Sequence, residues 1–144
     1  RLDLSGKDVM RKIMILARES GEQMEMEDIS NNSFMPESCM TGSVEDFYAA
    51  MEKEETHFKK ILDAAKAAGK KLKFVASYDK GKAAVGLQQV DEQSDFYHLY
   101  GKDNVVLFYT DRYSEQPLVV KGAGAGAAVT ASGVFADIIR AAAN

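Results

Sequence analysis

The sequence predicts an α+β fold in which helices cover a mixed, mostly antiparallel sheet. Three observations lead to this fold class. Apolar residues recur at helical spacing through much of the first half of the chain. From Lys71 the period changes to the alternation of a half-buried strand. A β-rich run then enters three alternating glycines and leaves as an alanine-rich helix.

The composition is that of an ordinary globular protein. A chain of 144 residues suffices for one domain with a sizeable core, and 46% of its residues are hydrophobic. The net charge of −4 gives no basic footprint, so nucleic acid is not an expected partner. No apolar run approaches the roughly 20 residues of a membrane helix. The single cysteine, Cys39, cannot form an internal disulfide, which fits the cytoplasm. We interpret it as a spectator thiol in a polar loop.

The first predicted helix is amphipathic and ends at Gly21. Ser5 and Asp8 have the spacing of a capping box, and Asp8 and Lys12 have that of an i,i+4 ion pair. Asp3 can fold back toward this pair from the preceding turn. Two acids and a lysine also suit a zwitterionic amino acid, since carboxylates hold its ammonium while lysine polarises or protonates an oxygen. Spacing alone leaves both interpretations open.

The middle of the chain predicts an edge strand and then helix. The strand covers residues 29–35 and ends at Pro36. Ser43 and Asp46 form a second predicted capping box. The apolar positions that follow, over residues 44–68, fit either two helices with a break or one long helix.

A β-hairpin is predicted next, with strands at 71–78 and 82–90 around an Asp-Lys-Gly turn. Residues 91–103 are polar and predict a loop or a short helical turn. A buried strand at 105–110 and another at 118–120 complete the β pattern. The histidines stand apart from each other, and no spacing of His, Cys and acids resembles a metal site.

Gly122, Gly124 and Gly126 join the last strand to the last helix. Glycines let a ligand approach the backbone, and the start of the following helix favours an anion or a polar carbonyl. The strict alternation is not the G-x-G-x-x-G fingerprint of dinucleotide sites. The loop is therefore either a ligand contact or a tight turn that lets the helix pack closely on a sheet.

Two motifs carry a resemblance to a known family. Residues 3–12, D-L-S-G-K-D-V-M-R-K, resemble the D-L-[SN]-G-x-D-x-x-[RK]-K signature of homoserine dehydrogenases. Residues 122–131, G-A-G-A-G-A-A-V-T-A, resemble that family's C-terminal glycine loop. The motifs stand in family order, and the resemblance covers essentially the whole chain. It implies an oxidoreductase that interconverts L-aspartate 4-semialdehyde and L-homoserine with NAD(P)H, in threonine, methionine and isoleucine biosynthesis.

The resemblance also implies roles for the matched residues. Lys12 corresponds to the lysine that gives a proton to the aldehyde oxygen as hydride arrives. Asp8 corresponds to the acid that binds the substrate's amino group, and Asp3 to an acid that supports the same site. Gly126 and Thr130 correspond to the loop that closes on the nicotinamide end of the cofactor.

The chain departs from the family in three respects. The upstream nucleotide-binding domain, with its fingerprint and substrate-binding glutamate, is absent from residues 1–144. So is the family's monovalent-cation site, and Leu2 stands where members often have another acid. We therefore expect a single substrate-binding, catalytic and dimerisation domain, a homodimer, whose cofactor is bound mainly by the missing domain and which is inactive alone.

Other functions stay open at this point. A parent chain that also carries an aspartokinase is compatible with the family resemblance. A non-catalytic module that binds an amino acid for regulation would also suit an α+β fold with a glycine loop. A purely structural dimerisation domain is the third possibility.

Overall fold

The computed structural model describes residues 1–101 and 103–143, and within them four α-helices and five strands. Two compact units divide the chain, an N-terminal unit Arg1–Gln93 and a C-terminal unit Ser94–Asn144. The elements are α1 (Lys7–Glu19), β1 (Ile29–Asn32), α2 (Val44–Lys53), α3 (Glu55–Ala67), β2 (Lys71–Asp79), β3 (Lys82–Val90), β4 (Asp103–Phe108), β5 (Leu118–Ala123) and α4 (Ala127–Ala143). The predicted α+β fold class is confirmed.

Helix α1 lies where its apolar spacing predicts it, but it begins differently. The predicted capping box of Ser5 and Asp8 is wrong, because no side chain caps this helix. Its N-cap is Gly6, at a left-handed φ of 78°, and the Ser5 hydroxyl donates instead to the Leu2 carbonyl at 2.6 Å. The Asp8 carboxylate is consequently left to pair with another partner.

The sheet of the N-terminal unit has the order β1-β3-β2, so β1 is an edge strand as predicted, although shorter than 29–35. It runs parallel to β3, while β2 and β3 are antiparallel. Lys80 and Gly81 turn the hairpin with φ values of 46° and 79°. Positive φ at both positions is the type I′ geometry that matches the strand twist. The predicted hairpin is confirmed.

One face of this sheet carries α1, and a second apolar cluster lies under α2. The core beneath α1 consists of Met10, Ala17, Met24, Ile29, Ala83 and Val85. The second cluster is built on Met35, Cys39 and Phe47. Cys39 is fully buried in a single 3₁₀ turn, Glu37–Cys39, so its assignment to a polar loop is wrong. Buried free cysteine behaves as a small apolar side chain.

The segment 44–68 forms two helices, which decides between the two predicted alternatives. Ser43 caps α2 with both bonds of the box: Asp46 N donates to Ser43 Oγ at 3.1 Å, and Ser43 N donates to Asp46 Oδ2 at 2.8 Å. This backbone hydrogen bond lowers the pKa of the Asp46 carboxyl. The chain leaves helical geometry at Glu54 and resumes at once in α3.

The C-terminal unit consists of the antiparallel pair β4–β5 followed by α4. The prediction of a buried strand at 105–110 is wrong in both bounds and burial: the strand is β4, and only Val105, Val106 and Leu107 are half-buried in it. Leu118, Val119 and Val120 of β5 are 42–53% exposed. Helix α4 also exposes large apolar side chains, with Phe135 at 64% and Ile138 at 57%. A two-stranded sheet and one helix provide too few layers to cover these side chains. Among the described residues no helix has both the length and the apolar character to cross a membrane.

Candidate functional site

An ion pair at the start of α1 is the centre of the candidate site. Lys12 Nζ lies 2.8 Å from Asp8 Oδ2, one helical turn apart, and both side chains are more than half exposed. The structure therefore brings together two of the residues that the sequence singled out. The hydrogen bond and the positive charge of Lys12 lower the pKa of the Asp8 carboxyl, and Arg11 adds a smaller effect of the same sign. Asp8 is consequently a stable carboxylate at neutral pH.

Asp3 is exposed and lies in the turn that precedes α1. This turn is closed by Ser5 N, which donates to the Arg1 carbonyl at 2.8 Å. No cation in the described part of the chain pairs with the Asp3 carboxylate. The structure thus leaves Asp3 open to a ligand, on the turn that leads into the helix carrying Asp8 and Lys12.

Gly6 joins this turn to α1, and two structural features favour glycine at this position. Its φ of 78° is a conformation that side chains rarely adopt. A Cβ built on it would lie 2.8 Å from Phe74 Cζ and 3.4 Å from Asn31 Oδ1. The glycine of the D-L-S-G segment therefore lets the turn approach the sheet closely.

Asn31 is a residue of this region that the sequence reasoning missed. Its side-chain amide donates to the Ser5 carbonyl at 2.8 Å, across 26 positions of sequence. No spacing signal could have found it, because the bond depends on where β1 lies beside the turn. Alternation along the predicted strand indicated only that Asn31 shares a face with the buried Ile29.

The glycine loop belongs to the C-terminal unit, and its three glycines differ. A Cβ on Gly124 would overlap the side-chain amide of Asn104, whereas Gly122 has open space around it. Gly126 has a φ of 133° and also faces open space. Its carbonyl accepts the first turn's bond from Thr130 N at 3.0 Å, so α4 begins directly after it. The close approach of the Asn104 side chain explains Gly124, while Gly126 leaves room for a ligand.

The described residues fit one part of a nicotinamide cofactor. The open space at Gly126 and the N–H groups of the first turn of α4, which generally lack partners inside a helix, could meet a carboxamide or another polar group. Among residues 1–101 and 103–143, no three His, Cys, Asp or Glu side chains are placed to hold a metal ion. His57 is engaged structurally, since its Nε2 lies 2.9 Å from the Phe34 carbonyl oxygen.

We expect the ionisation of Asp8 to depend on Lys12. Because the folded-state pKa is lowered, the pair stabilises the fold above the ordinary carboxyl pKa, and this contribution is lost as pH falls through the folded value. Lys12→Ala should raise the pKa of Asp8, measured by NMR titration of its side-chain carbonyl carbon. Lys7→Ala removes a lysine next to Asp8 on the first turn of α1. It is the matched control and should leave the pKa of Asp8 unchanged. An Asp8 pKa that is equal in wild type and Lys12→Ala would contradict the pairing.

The similarity of this chain to known proteins extends over nearly its whole length. The family model of homoserine dehydrogenase matches residues 1–139. A bifunctional aspartokinase/homoserine dehydrogenase of Haemophilus influenzae is 41% identical over 141 residues, which are 97% of this chain and 17% of that protein. A homoserine dehydrogenase of Paracoccidioides brasiliensis is 41% identical over 148 residues, covering 97% of this chain and 39% of that protein.

Solved structures show the same fold. A Candida auris protein described as of unknown function superimposes with a TM-score of 0.87 at 38% identity, covering 97% of this chain and 40% of that one. Staphylococcus aureus homoserine dehydrogenase gives a TM-score of 0.67 at 20% identity, covering 97% of this chain and 31% of that one. The chain thus spans between a sixth and two fifths of the length of these proteins.

Proposed function

This chain belongs to the homoserine dehydrogenase family, and from this premise we propose that it forms the substrate-binding and catalytic part of an NAD(P)-dependent homoserine dehydrogenase. The reaction would interconvert L-aspartate 4-semialdehyde and L-homoserine. The observation that carries the proposal is the Asp8–Lys12 pair at 2.8 Å, which stands in the family signature with the open Asp3 carboxylate on the turn before it.

The two carboxylates suit the charged end of the substrate. An amino acid presents an ammonium group, and a carboxylate that stays ionised is the partner that holds it. Asp8 has this property at neutral pH, and Lys12 lowers its pKa further. The Lys12 ammonium lies against Oδ2, and Oδ1 would accept from the ammonium of the substrate. Asp3 would add a second acceptor for the same group.

Lys12 suits the reacting end of the substrate. A bound nicotinamide cofactor would supply hydride to the aldehyde carbon, so that negative charge would develop on the aldehyde oxygen. An ammonium placed beside that oxygen stabilises the charge more in the transition state than in the ground state, and it can give up a proton to form the hydroxyl. In the oxidative direction the neutral amine takes this proton back. The Lys12 side chain is exposed and flexible, so that it would be free to turn from Asp8 to a bound substrate.

Gly126 and Thr130 would contact the nicotinamide end of the cofactor, and the rest of the cofactor would be bound by another part of the protein. Support for this division comes from the open backbone at Gly126 and from the partial coverage of the relatives. Residues 1–144 would act as one substrate-binding and catalytic domain of a cytoplasmic enzyme. The similarity to bifunctional relatives supports a parent that also carries an aspartokinase.

A structural role is the second candidate function. The apolar side chains exposed on β5 and α4 favour a module that associates with another protein surface, including a second copy in a homodimer. This role is compatible with catalysis and would replace it only if no ligand binds at Asp8.

The test measures homoserine oxidation by the full-length polypeptide that contains these residues, with NAD⁺ and NADP⁺ assayed separately. We expect turnover with at least one dinucleotide and none from residues 1–144 alone. Absence of turnover in the full-length protein would contradict the proposed activity. Turnover by residues 1–144 alone would contradict the division of cofactor binding.

A further inference from the structure

The turn that carries Asp3 is tied to the sheet by one side chain. Asn31 Nδ2 donates to the Ser5 carbonyl at 2.8 Å, and Ser5 is among the buried residues of the N-terminal unit. This carbonyl immediately precedes Gly6, the residue at which the chain changes from the turn into α1. The bond therefore restrains the backbone at the junction that sets the direction in which α1 begins.

The donor, Asn31, lies on a strand that pairs with β3. Asn31 lies opposite Val85 in the parallel pairing of β1 with β3, and Val85 is among the most deeply buried side chains of the unit. Ile29, two positions earlier on the same face of β1, is also buried in the core beneath α1. β1 is a four-residue edge strand on which Asn31 itself is exposed, but its pairing with β3 restricts the donor more than a position on a loop would.

The same junction is packed as well as hydrogen-bonded. Phe74 Cζ and Asn31 Oδ1 both lie against the space where a Gly6 side chain would be. Asp3 precedes Ser5 by two positions, and Asp8 follows Gly6 by two. A shift of the Ser5–Gly6 junction would therefore move the turn carboxylate relative to the helix carboxylate.

We propose that Asn31 is a positioning residue for the substrate site, which holds the Ser5 carbonyl and so sets Asp3 relative to Asp8 and Lys12. The inference rests on the proposed function, because the carboxylates matter only if they bind the substrate's amino group. Asn31 itself does not touch the substrate in this assignment. Its effect reaches the substrate through the turn.

The kinetic test compares Asn31→Ala with Asn32→Ala in the full-length polypeptide. Asn32 is the adjacent asparagine on the opposite face of β1 and is exposed like Asn31, which makes it a matched control. For Asn31→Ala we expect the KM for homoserine to rise about threefold to tenfold, the effect of one neutral hydrogen bond. The KM for the dinucleotide should not change. A merely structural role would change both KM values together or neither, and either result would overturn the proposal.

A second readout does not depend on activity. Hydrogen exchange at the Ser5 amide, which closes the turn onto the Arg1 carbonyl, reports on the order of the turn. We expect faster exchange at Ser5 in Asn31→Ala but not in Asn32→Ala. Equal exchange in the two variants would overturn the proposal, whether or not the wild type oxidises homoserine. An inactive wild type together with faster exchange at Ser5 in Asn31→Ala would instead contradict the proposed function. It would still support the restraint of the turn by Asn31.

Discussion

Lys12→Ala is expected to lower kcat for aspartate-semialdehyde reduction by about a hundredfold or more, with the KM for the substrate little changed. General acid catalysis contributes roughly 10²–10⁴-fold, and this contribution exists only in the transition state. The substrate's ammonium would still be held by Asp8, which keeps its negative charge when Lys12 is removed. Steady-state kinetics of the full-length polypeptide, with kcat and KM determined separately, measures the effect.

Lys7→Ala is the control for the loss of a positive charge from the same helix. Lys7 is exposed on the first turn of α1 and makes no ion pair with the described residues. It should retain wild-type kcat. Unchanged kinetics in Lys12→Ala would mean that the Asp8–Lys12 contact is only a surface ion pair without a catalytic role. Amino-acid binding that is indifferent to Lys12 would then favour the regulatory module over the enzyme.

Gly6→Ala is expected to destabilise the N-terminal unit by about 2–5 kcal/mol. Left-handed φ costs an ordinary residue roughly 1–2 kcal/mol. Forcing extra volume into a packed site adds about 1–3 kcal/mol, and Phe74 Cζ lies only 2.8 Å from the new methyl position. The free energy of unfolding in urea, followed by circular dichroism, measures the loss.

Gly21→Ala separates these two contributions. Gly21 also has a positive φ, 102°, but nothing lies within 4 Å of its Cβ position. It should therefore show the conformational cost alone, of the order of 1–2 kcal/mol. Equal losses in the two variants would mean that the ring of Phe74 moves aside at no cost, and that the close packing at Gly6 is unimportant.

Local chemistry made much of the fold predictable. The Ser43–Asp46 box and the Lys80–Gly81 turn depend on residues within four positions of each other, so sequence spacing specifies them. The Asp8–Lys12 pair was predicted for the same reason. The start of α1 was not, because the left-handed Gly6 displaces the cap that Ser5 and Asp8 would otherwise form.

Long-range packing accounts for the rest. The polar neighbours of Cys39 in the sequence predict an exposed loop, but the fold buries Cys39 beside Met35 and Phe47. Asn31 meets Ser5 only because β1 pairs in parallel with β3, a choice of register that no local pattern encodes. The catalytic candidates could therefore be named from sequence, but not the residue that holds them in place.

The uncovered apolar side chains of β5 and α4 have a thermodynamic consequence. Apolar surface contributes about 25 cal/mol per Å² to stability only when it leaves water, so these side chains contribute little in the free unit. A partner surface that covered them would contribute that energy, and the stability of the C-terminal unit would then follow mass action. Its melting temperature would depend on the concentration or covalent tethering of that partner as well as on its own sequence.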